Sequence, residues 1–211
     1  MNITIIGTGN VGGTLGSRWA QNGHQVVFVS REPEGEKVQA LLARSGPNAW
    51  ASAHSASACA DADVILLATP WAVVSDALAA AGDLSAKVLL DATNPIGPDF
   101  TLLMPAAGSG GQEVALLAQS ARVVKIFNTT GWGNMADPFY GSEATTMFLC
   151  GDDADAKSVA ASLAEELGFV ATDAGGLDKA HLLEAVALTW ITLAYSQGHG
   201  RNIAFRLMKR G

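Results

Sequence analysis

The chain has 211 residues, a formal net charge of -7 and 49% hydrophobic residues, so it can bury a sizeable core and is too apolar to be disordered. The negative charge comes without a basic stripe, which argues against a nucleic-acid-binding surface. Two cysteines are too few for a disulfide framework or a tetrathiolate metal site, and we expect both to be reduced packing residues.

A predicted strand and a glycine-rich turn open the chain. Residues 2–6 form an apolar run, residues 7–12 read Gly-Thr-Gly-Asn-Val-Gly, and a helical pattern follows. This order is typical of a dinucleotide site. Gly7 permits the tight turn, Gly9 lets a pyrophosphate approach backbone N–H groups, and Gly12 lets the helix pack closely. Because the chain has 23 glycines, an ordinary glycine turn is the alternative.

The end of the second predicted strand indicates which dinucleotide binds. Residues 25–29 form the strand, and Ser30 and Arg31 follow it. An NAD site usually places a carboxylate here for the ribose 2′-hydroxyl, whereas a hydroxyl and a guanidinium attract a 2′-phosphate. The sequence therefore predicts NADP(H) as the cofactor. The alternative is that Arg31 is an ordinary surface charge.

Strands and helices alternate along the rest of the chain. Further strands are predicted at 49–51, 64–68, 87–90, 123–127, 145–150 and 169–171. Helices are predicted at 36–44, after Trp71 to about 80, and at 112–120, 154–166 and 182–195. The alternation predicts an α/β fold, with a Rossmann-type, doubly wound, mostly parallel sheet and a small C-terminal α/β capping lobe. We place the NADP-binding Rossmann domain at 1–135 and the lobe at 136–211.

Polar or aromatic residues follow four of the predicted strands, whose own residues are apolar. The four segments are Ser30-Arg31, Thr69-Pro70-Trp71, Thr93-Asn94-Pro95 and Asn128-Thr129-Thr130. Ligands of open α/β sheets bind outside the carboxyl ends of the strands, so these segments should converge on one cleft. Trp71 is either a wall of that cleft or the first packing residue of its helix.

We find no convincing general acid or base in the chain. Lys125 lies inside a predicted strand and Lys179 precedes the last helix, and the spacing supports neither of them in that role. The acidic cluster 152–155 opens a helix and is expected to cap it rather than to bind a metal. Hydride transfer between two rings needs no acid–base residue, so a flavin-like or deazaflavin acceptor is favoured, with no catalytic side chain.

Three groups of motifs resemble the NADP-dependent oxidoreductases of the deazaflavin coenzyme F420. They are 5–12 with Ser30-Arg31, then 91–95 with 125–129, and last 175–177, 188–191, 198–200 and 204–207. Together these motifs extend over nearly the whole chain. The segment 130–138 departs from the family pattern, because it is bulkier and more polar than is usual beside a deazaflavin.

The resemblance implies roles for residues at the strand ends. It implies NADP contacts by Thr8, Asn10, Val11, Ser30, Arg31, Thr69, Pro70 and Asn94. It implies that the acceptor ring lies beside the C-terminal lobe and beside Asn128, Thr129, Thr130 and Trp132. In the family, the nicotinamide and deazaflavin rings stack face to face between the Rossmann domain and the lobe. Members are commonly homodimers, and we expect the same here.

Two other functions stay open from the sequence. The chain is alternatively an NADP-binding sensor without turnover, or a dehydrogenase or reductase of small imine or hydroxy-acid substrates. The first apolar run is a short strand rather than a signal peptide, and the longest, at 185–195, is too short to span a bilayer. We therefore expect a cytoplasmic protein that binds neither membranes nor nucleic acid.

Overall fold

The computed structural model describes residues 1–119 and 121–210. Its strands are β1 Asn2–Ile6, β2 Gln25–Val29, β3 Ala49–Ser52, β4 Val64–Leu67, β5 Val88–Asp91, β6 Arg122–Lys125, β7 Phe139–Tyr140, β8 Glu143–Ala144, β9 Thr146–Gly151 and β10 Val170–Asp173. Its α-helices are α1 Asn10–Gln21, α2 Glu36–Ser45, α3 Ser55–Ala60, α4 Val74–Ala81, α5 Gly110–Leu117, α6 Trp132–Ala136, α7 Ala154–Glu165 and α8 Ala180–Ile191.

Eight of the strands form one sheet, in the order β10-β9-β6-β5-β4-β1-β2-β3, and β7 pairs with β8 in a separate hairpin. Neighbouring strands of the large sheet are parallel, except that β6 and β9 are antiparallel. The chain runs outward from β1 to β3, returns to β4 beside β1, and then runs outward on the other side. This order makes the sheet doubly wound, and the predicted fold class is confirmed.

The carboxyl ends of five strands lie level with one another. Ile6 of β1 is opposite Val29 of β2 and Leu67 of β4. Asp91 of β5 is opposite Leu67 on one side and Lys125 of β6 on the other. The loops that leave these strands therefore start along a single edge of the sheet, where a ligand site of this fold is expected.

Apolar side chains cover both faces of the sheet. Every residue of β4 and β5 is buried, as expected for parallel strands with helices on both faces. One buried cluster contains Trp19 of α1 and Phe28 of β2, and a second contains Ile65 of β4 and Leu78 of α4. The sheet edge that carries the site is thus held between two packed helical layers.

The strand predicted at 123–127 is shorter than expected, because β6 ends at Lys125. Phe127 has a φ of 61°, a left-handed conformation that a strand does not accommodate. Its ring still packs edge-on against Trp19 in the core, with the ring centroids 5.6 Å apart. The chain therefore turns sharply between the buried Phe127 and the following residue, Asn128.

The helix predicted at 112–120 is α5, and it begins two residues earlier, at Gly110. Ser109 caps this helix, since its Oγ accepts a hydrogen bond from the backbone N–H of Gln112 at 3.1 Å. The predicted end at Ser120 lies outside the described residues. The sequence pattern does not predict α3, α6 or the β7–β8 hairpin, because each is too short to show a clear period.

The C-terminal part of the chain extends the same sheet through β9 and β10. An extended tail then returns to β9, where Phe205 O accepts a hydrogen bond from Thr146 N at 3.0 Å and Leu207 N donates to Thr146 Oγ1 at 2.9 Å. The division into domains at 135 and 136 stays a prediction. Within the described residues, no helix combines the length and hydropathy needed to cross a membrane.

Candidate functional site

The N-terminus of α1 is open to a ligand. The helix follows Gly9, which has no side chain to cap it, and the first helical hydrogen bond runs from Gly13 N to Gly9 O at 2.8 Å. The backbone N–H groups of Asn10, Val11 and Gly12 therefore have no partner within the helix. A Cβ on Gly9 would meet no atom of the described residues within 4 Å, so the space beside it is open. This arrangement suits an anion such as a pyrophosphate.

Neighbouring backbone atoms leave no room for a side chain at Gly7 or Gly12, the other two glycines of the turn. Gly7 has a φ of 114°, and a Cβ there would lie 2.5 Å from Ala68 O. A Cβ on Gly12 would lie 2.0 Å from Gly7 O. The turn, with Thr8 between its first two glycines, is thus held against both the end of β4 and the first turn of α1.

Ser30 and Arg31 follow β2, on the same edge of the sheet as the glycine turn. Ser30 is half-buried, and its Oγ accepts a hydrogen bond from Glu32 N at 3.2 Å. Arg31 is exposed, and its guanidinium forms no ion pair within residues 1–119 and 121–210. An uncommitted guanidinium beside a hydroxyl fits the 2′-phosphate of NADP, which a carboxylate would repel.

A cavity of about 440 Å³ lies between the strand ends and α8. Its lining residues are Val11, Asn94, Phe100, Asn128, Thr130, Gly131, Trp132, Ala187, Trp190, Ile191 and Tyr195. Because Val11 belongs to the first turn of α1, the cavity adjoins the open helix N-terminus. The helix predicted at 182–195 forms part of the wall; it is α8 followed by a π-helical turn, Thr192–Ser196. The volume is in the range of small-molecule sites.

The cavity brings together five residues that the sequence places at the site: Val11, Asn94, Asn128, Thr130 and Trp132. Thr129, predicted beside the acceptor, does not line it. The Thr129 side chain is buried, and its Oγ1 lies 4.0 Å from the Sδ of Met147. The sharp turn at Phe127 thus places Asn128 and Thr130 on the cavity side and Thr129 in the core.

Thr69 and Pro70 follow β4 and do not line the cavity. The Thr69 hydroxyl is buried and has no hydrogen-bond partner among the described residues. Trp71 packs against the buried cluster that contains Leu78, and it lines a separate depression of about 270 Å³ with Met104. Trp71 is therefore a packing residue of its helix rather than a wall of the main cavity.

Aromatic rings form much of the cavity wall. Trp190 packs against Gly131, where a Cβ would come within 2.4 Å of the indole ring. The Tyr195 ring is parallel to that of Phe100 and nearly perpendicular to that of Trp190, with both pairs of centroids 6.2 Å apart. These rings offer flat apolar surfaces, which suit a planar ligand.

The C-terminal tail holds two sides of the cavity together. Ile203 O accepts hydrogen bonds from Trp190 Nε1 at 2.7 Å and from Asn134 Nδ2 at 2.6 Å. Asn134 Nδ2 also donates to Thr130 Oγ1, and Tyr140 OH donates to Asn134 Oδ1. One carbonyl of the tail therefore joins α8 to α6.

Two asparagines form a polar pair at the cavity. Asn94 Nδ2 donates to the backbone carbonyl of Asn128, and Asn128 Nδ2 donates to Asn94 Oδ1, each at 3.0 Å. The pair links the loop after β5 to the loop after β6. It fixes the spacing of two loops that both contribute to the cavity.

A buried charge cluster lies next to the same loops, and sequence reasoning did not find it. Lys125 Nζ is 2.8 Å from Asp91 Oδ2, 3.2 Å from Glu184 Oε1 and 2.6 Å from Thr93 O. These contacts use all three donors of the ammonium group, and the three charged side chains are at most 1% exposed. Lys125 is thus unavailable to a ligand as an acid or base. The sequence signal was a charged residue within each of three largely apolar elements, β5, β6 and α8.

Burial keeps both cysteine thiols protonated. It raises the pKa of Cys59 to about 11 and that of Cys150 to about 12, while the nearby charge of Lys125 lowers the latter to a smaller extent. Both thiols are free and buried. The prediction that they are reduced packing residues is confirmed.

The Asp153 carboxylate confirms the predicted capping role of the acidic cluster. Its Oδ1 accepts a hydrogen bond from Ala156 N at 2.7 Å, at the start of α7. The neighbouring Asp152 accepts from Leu177 N at 2.8 Å, and so joins two segments of the chain.

A doubly wound sheet, an open helix N-terminus behind a G-x-G-x-x-G turn and an adjoining cavity define a Rossmann-type dinucleotide-binding protein. The model of one family, described as NADP oxidoreductase coenzyme F420-dependent, matches residues 2–95. A candidate F420-dependent NADP reductase from Arthrobacter sp. FB24 is 30% identical, with a TM-score of 0.89 over 99% of this chain and 100% of that chain. The chain belongs to this family of coenzyme F420-dependent NADP oxidoreductases. The predictions of an NADP-dependent oxidoreductase and of NADP as its cofactor are confirmed.

Two further relatives are similar in sequence. The hypothetical protein SMa0349 from Sinorhizobium meliloti is 29% identical, with a TM-score of 0.74 over 100% of this chain and 96% of that chain. The metalloreductase STEAP3 of Rattus norvegicus is 28% identical over 187 residues, or 88% of this chain. The chain spans only 36% of the length of that curated relative.

Proposed function

We propose that the protein transfers a hydride between NADP(H) and a flavin-like or deazaflavin ring that binds in the cavity beside Trp132, Trp190 and Tyr195. The observation that carries the proposal is the position of the cavity: it adjoins the open N-terminus of α1 through Val11 and has aromatic walls. No carboxylate, imidazole or ammonium group is among its described lining residues. Transfer between two stacked rings needs none.

The residues present fit an NADP molecule that extends from the rim of the sheet into the cavity. In this arrangement the backbone N–H groups of Asn10, Val11 and Gly12 bind the pyrophosphate, and Ser30 and Arg31 bind the 2′-phosphate. Thr69, Pro70 and Asn94 lie along the nicotinamide half. The cofactor supplies the hydride when bound, and the aromatic walls orient the rings and exclude water.

The acceptor ring would take the cavity space beside Asn128, Thr130 and Trp132. NADPH would supply a hydride, that is two electrons and one hydrogen, and would leave as NADP⁺. A proton from the solvent would provide the second hydrogen of the reduced acceptor. The step is therefore balanced without a proton-donating side chain.

The experiment is an acceptor panel. Purified protein with NADPH would be mixed with a deazaflavin, FMN or FAD, and oxidation of NADPH would be followed by its absorbance. We expect turnover with at least one ring acceptor and none in a control without protein. Tight NADPH binding without turnover of any acceptor would contradict the proposal and support a sensor.

A second candidate function is the reduction of small imine or carbonyl substrates, including the oxidised forms of hydroxy acids. One observation favours it: the phenol of Tyr195 lines the cavity and is a possible proton donor for such a substrate. Imines and ketones in the same panel test this function. If it is correct, Tyr195→Phe lowers turnover of imines, whereas ring-to-ring transfer does not need the hydroxyl.

The family resemblance also supports a homodimer, and we include it in the proposal together with the cytoplasmic location expected from the sequence. The exposed apolar side chain of Leu182 on α8 is compatible with a subunit contact. Light scattering of the purified protein would measure its mass in solution, and a monomeric mass at micromolar concentration would contradict the dimer.

A further inference from the structure

Asn128, a residue of the cavity wall, carries a side-chain oxygen that has no hydrogen-bond partner among the described residues. Asn128 lines the cavity and is only 4% exposed. Its Oδ1 is buried and has no hydrogen-bond partner among the described residues. Buried polar atoms of this kind are normally paired, so each exception calls for an explanation.

The hydrogen bonds between the two asparagines fix which atom of the Asn128 amide is the oxygen. The backbone carbonyl of Asn128 can only accept a hydrogen bond, so Asn94 must point its Nδ2 toward it. Asn94 Oδ1 then faces Asn128, which must present its own Nδ2. The Asn128 carbonyl thus sets the orientation of the Asn94 amide, and the Asn94 amide sets that of the Asn128 amide. Asn128 Oδ1 is the atom that remains without a partner among the described residues.

The backbone before Asn128 gives a second, independent reason to regard this orientation as functional. Phe127 adopts a left-handed φ of 61°, a conformation that is unfavourable for a bulky residue. The turn lets the Phe127 ring fill the core while the next residue, Asn128, forms part of the cavity wall. Strain of this type clusters at ligand sites, where surrounding structure maintains it.

The other polar groups at the cavity near Asn128 are already engaged within the protein. Both ends of the Asn94 amide bond to Asn128, and Thr130 Oγ1 accepts a hydrogen bond from Asn134 Nδ2. Among these side chains, Asn128 Oδ1 is therefore the oxygen that lacks a donor.

We propose that Asn128 Oδ1 accepts a hydrogen bond from an amide-type N–H of a planar ring bound in the cavity. This inference rests on the proposed function, because it assumes that a nicotinamide ring, an acceptor ring or both occupy this space. Two sources offer the same chemistry: the carboxamide of the nicotinamide, and the imide of a flavin or deazaflavin. The site would then discriminate against rings of equal shape that lack the N–H.

The test pairs each N–H ligand with an analogue that lacks the donor. NADPH is compared with its reduced acetylpyridine analogue, in which an acetyl group replaces the carboxamide. FMN is compared with FMN methylated at its imide nitrogen. Dissociation constants are measured by fluorescence quenching for the wild type and for Asn128→Leu. Asn128→Ala serves if the leucine variant does not fold, and folding is checked by circular dichroism.

We expect the wild type to prefer the N–H ligand about tenfold in at least one pair, and Asn128→Leu to bring that ratio close to one. The pair that changes identifies the source of the N–H. Asn48→Leu is the control, because it removes an asparagine that bonds to Ala20 O away from the cavity, and it should leave both ratios unchanged.

The inference is overturned if Asn128→Leu leaves the NADPH ratio unchanged and the FMN pair either keeps its ratio or does not bind. That result is distinguishable from a failure of the proposed function. The acceptor panel measures turnover of the wild type, whereas these ratios measure binding and require no turnover. A protein that reduces a deazaflavin with unchanged ratios would keep its function and lose only this contact.

Discussion

The N-termini of α1 and α5 are built alike, but in the part of the chain that the structure describes, only the backbone N–H groups at α5 are bound by a side chain of the protein. Both helices start at glycine-rich turns, and the first backbone N–H groups of both have no partner within the helix. At α5 the protein fills this anion site itself, since the Glu184 carboxylate accepts hydrogen bonds from Gly110 N at 3.1 Å and Gly111 N at 3.0 Å. At α1 no side chain among the described residues does so. The difference separates a structural anion site from one left for a ligand.

Glycine has a different purpose at each of these two helix ends. A Cβ on Gly110 would lie 2.9 Å from Glu184 Oε1, and one on Gly111 would lie 2.7 Å from the Cβ of Ala180. Glycine at α5 therefore admits another part of the same protein. At Gly9, where a Cβ would meet nothing, glycine leaves room for a group that the chain does not supply.

The largest effect on stability is expected from removing the cation of the buried charge cluster. Lys125→Met leaves Asp91 and Glu184 as two buried carboxylates without a counter-ion, and should cost about 3–5 kcal/mol of unfolding free energy. Glu184→Gln leaves Asp91 and Lys125 as a neutral pair and should cost less. Urea denaturation measures both variants. The exposed Lys37→Met is the control, expected within about 0.5 kcal/mol of the wild type. Equal stability of Lys125→Met and the wild type would contradict the ionic account of this cluster.

The Arg31→Ala variant tests whether Arg31 binds the 2′-phosphate of NADP. Loss of the guanidinium should raise the dissociation constant for NADPH by about ten- to hundredfold, or about 1.5–3 kcal/mol, because a charge-assisted bond to the 2′-phosphate is removed. The dissociation constant for NADH should hardly change. Calorimetric titration measures both, with Arg210→Ala in the tail as the matched control. If both cofactors lose equal affinity, Arg31 does not contact the phosphate.

A smaller effect on binding, without an effect on folding, is expected from Gly9→Ala. The new Cβ meets no protein atom, so the melting temperature should stay within about 1–2 °C of the wild type. The same Cβ would enter the space of the pyrophosphate, and the dissociation constant for NADPH should rise about tenfold. Gly133→Ala, whose Cβ also meets nothing, should not weaken NADPH binding. Unchanged binding by Gly9→Ala would mean that the pyrophosphate lies elsewhere.

The pH dependence of stability tests whether solvent reaches the buried charge cluster. The thiol of Cys150 has a pKa of about 12, raised by burial, and lies close enough to Lys125 to sense its charge. Because the pKa of a thiol in the unfolded chain is about 8.5, stability from this group is intact below that pH and falls as pH rises toward 12. The expected slope is about 1.4 kcal/mol per pH unit for each thiol. Urea denaturation between pH 8 and 10.5 should give a shallower slope for Cys150→Ala, and an identical slope would indicate that solvent reaches the cluster.

The features predicted from sequence are those that depend on neighbouring residues. The strand at 2–6, the glycines at 7–12 and the polar residues after the strands are local signals, and they located the sheet edge and five of the eleven residues that line the cavity. In the buried charge cluster, Asp91 lies 34 positions before Lys125 along the chain and Glu184 lies 59 positions after it. Only the folded structure brings the three residues together.

One residue predicted beside the acceptor, Thr129, does not line the cavity, and the cause is local. The largely apolar run at 123–127 predicts a continuous strand, and no sequence pattern reveals that Phe127 turns left-handed. After this turn Thr129 is buried, whereas Asn128 and Thr130 line the cavity.

The hydrogen bonds to Ile203 O make the last residues of the chain part of the binding architecture. Digestion by a carboxypeptidase past this position would spare the eight-stranded sheet, whose final strand ends at Asp173. Once Ile203 is removed, the Trp190 indole and the Asn134 amide lose the acceptor that they share. A trimmed preparation would keep its secondary-structure spectrum and lose its ligand pocket, so intact mass must be verified before any negative binding result is interpreted.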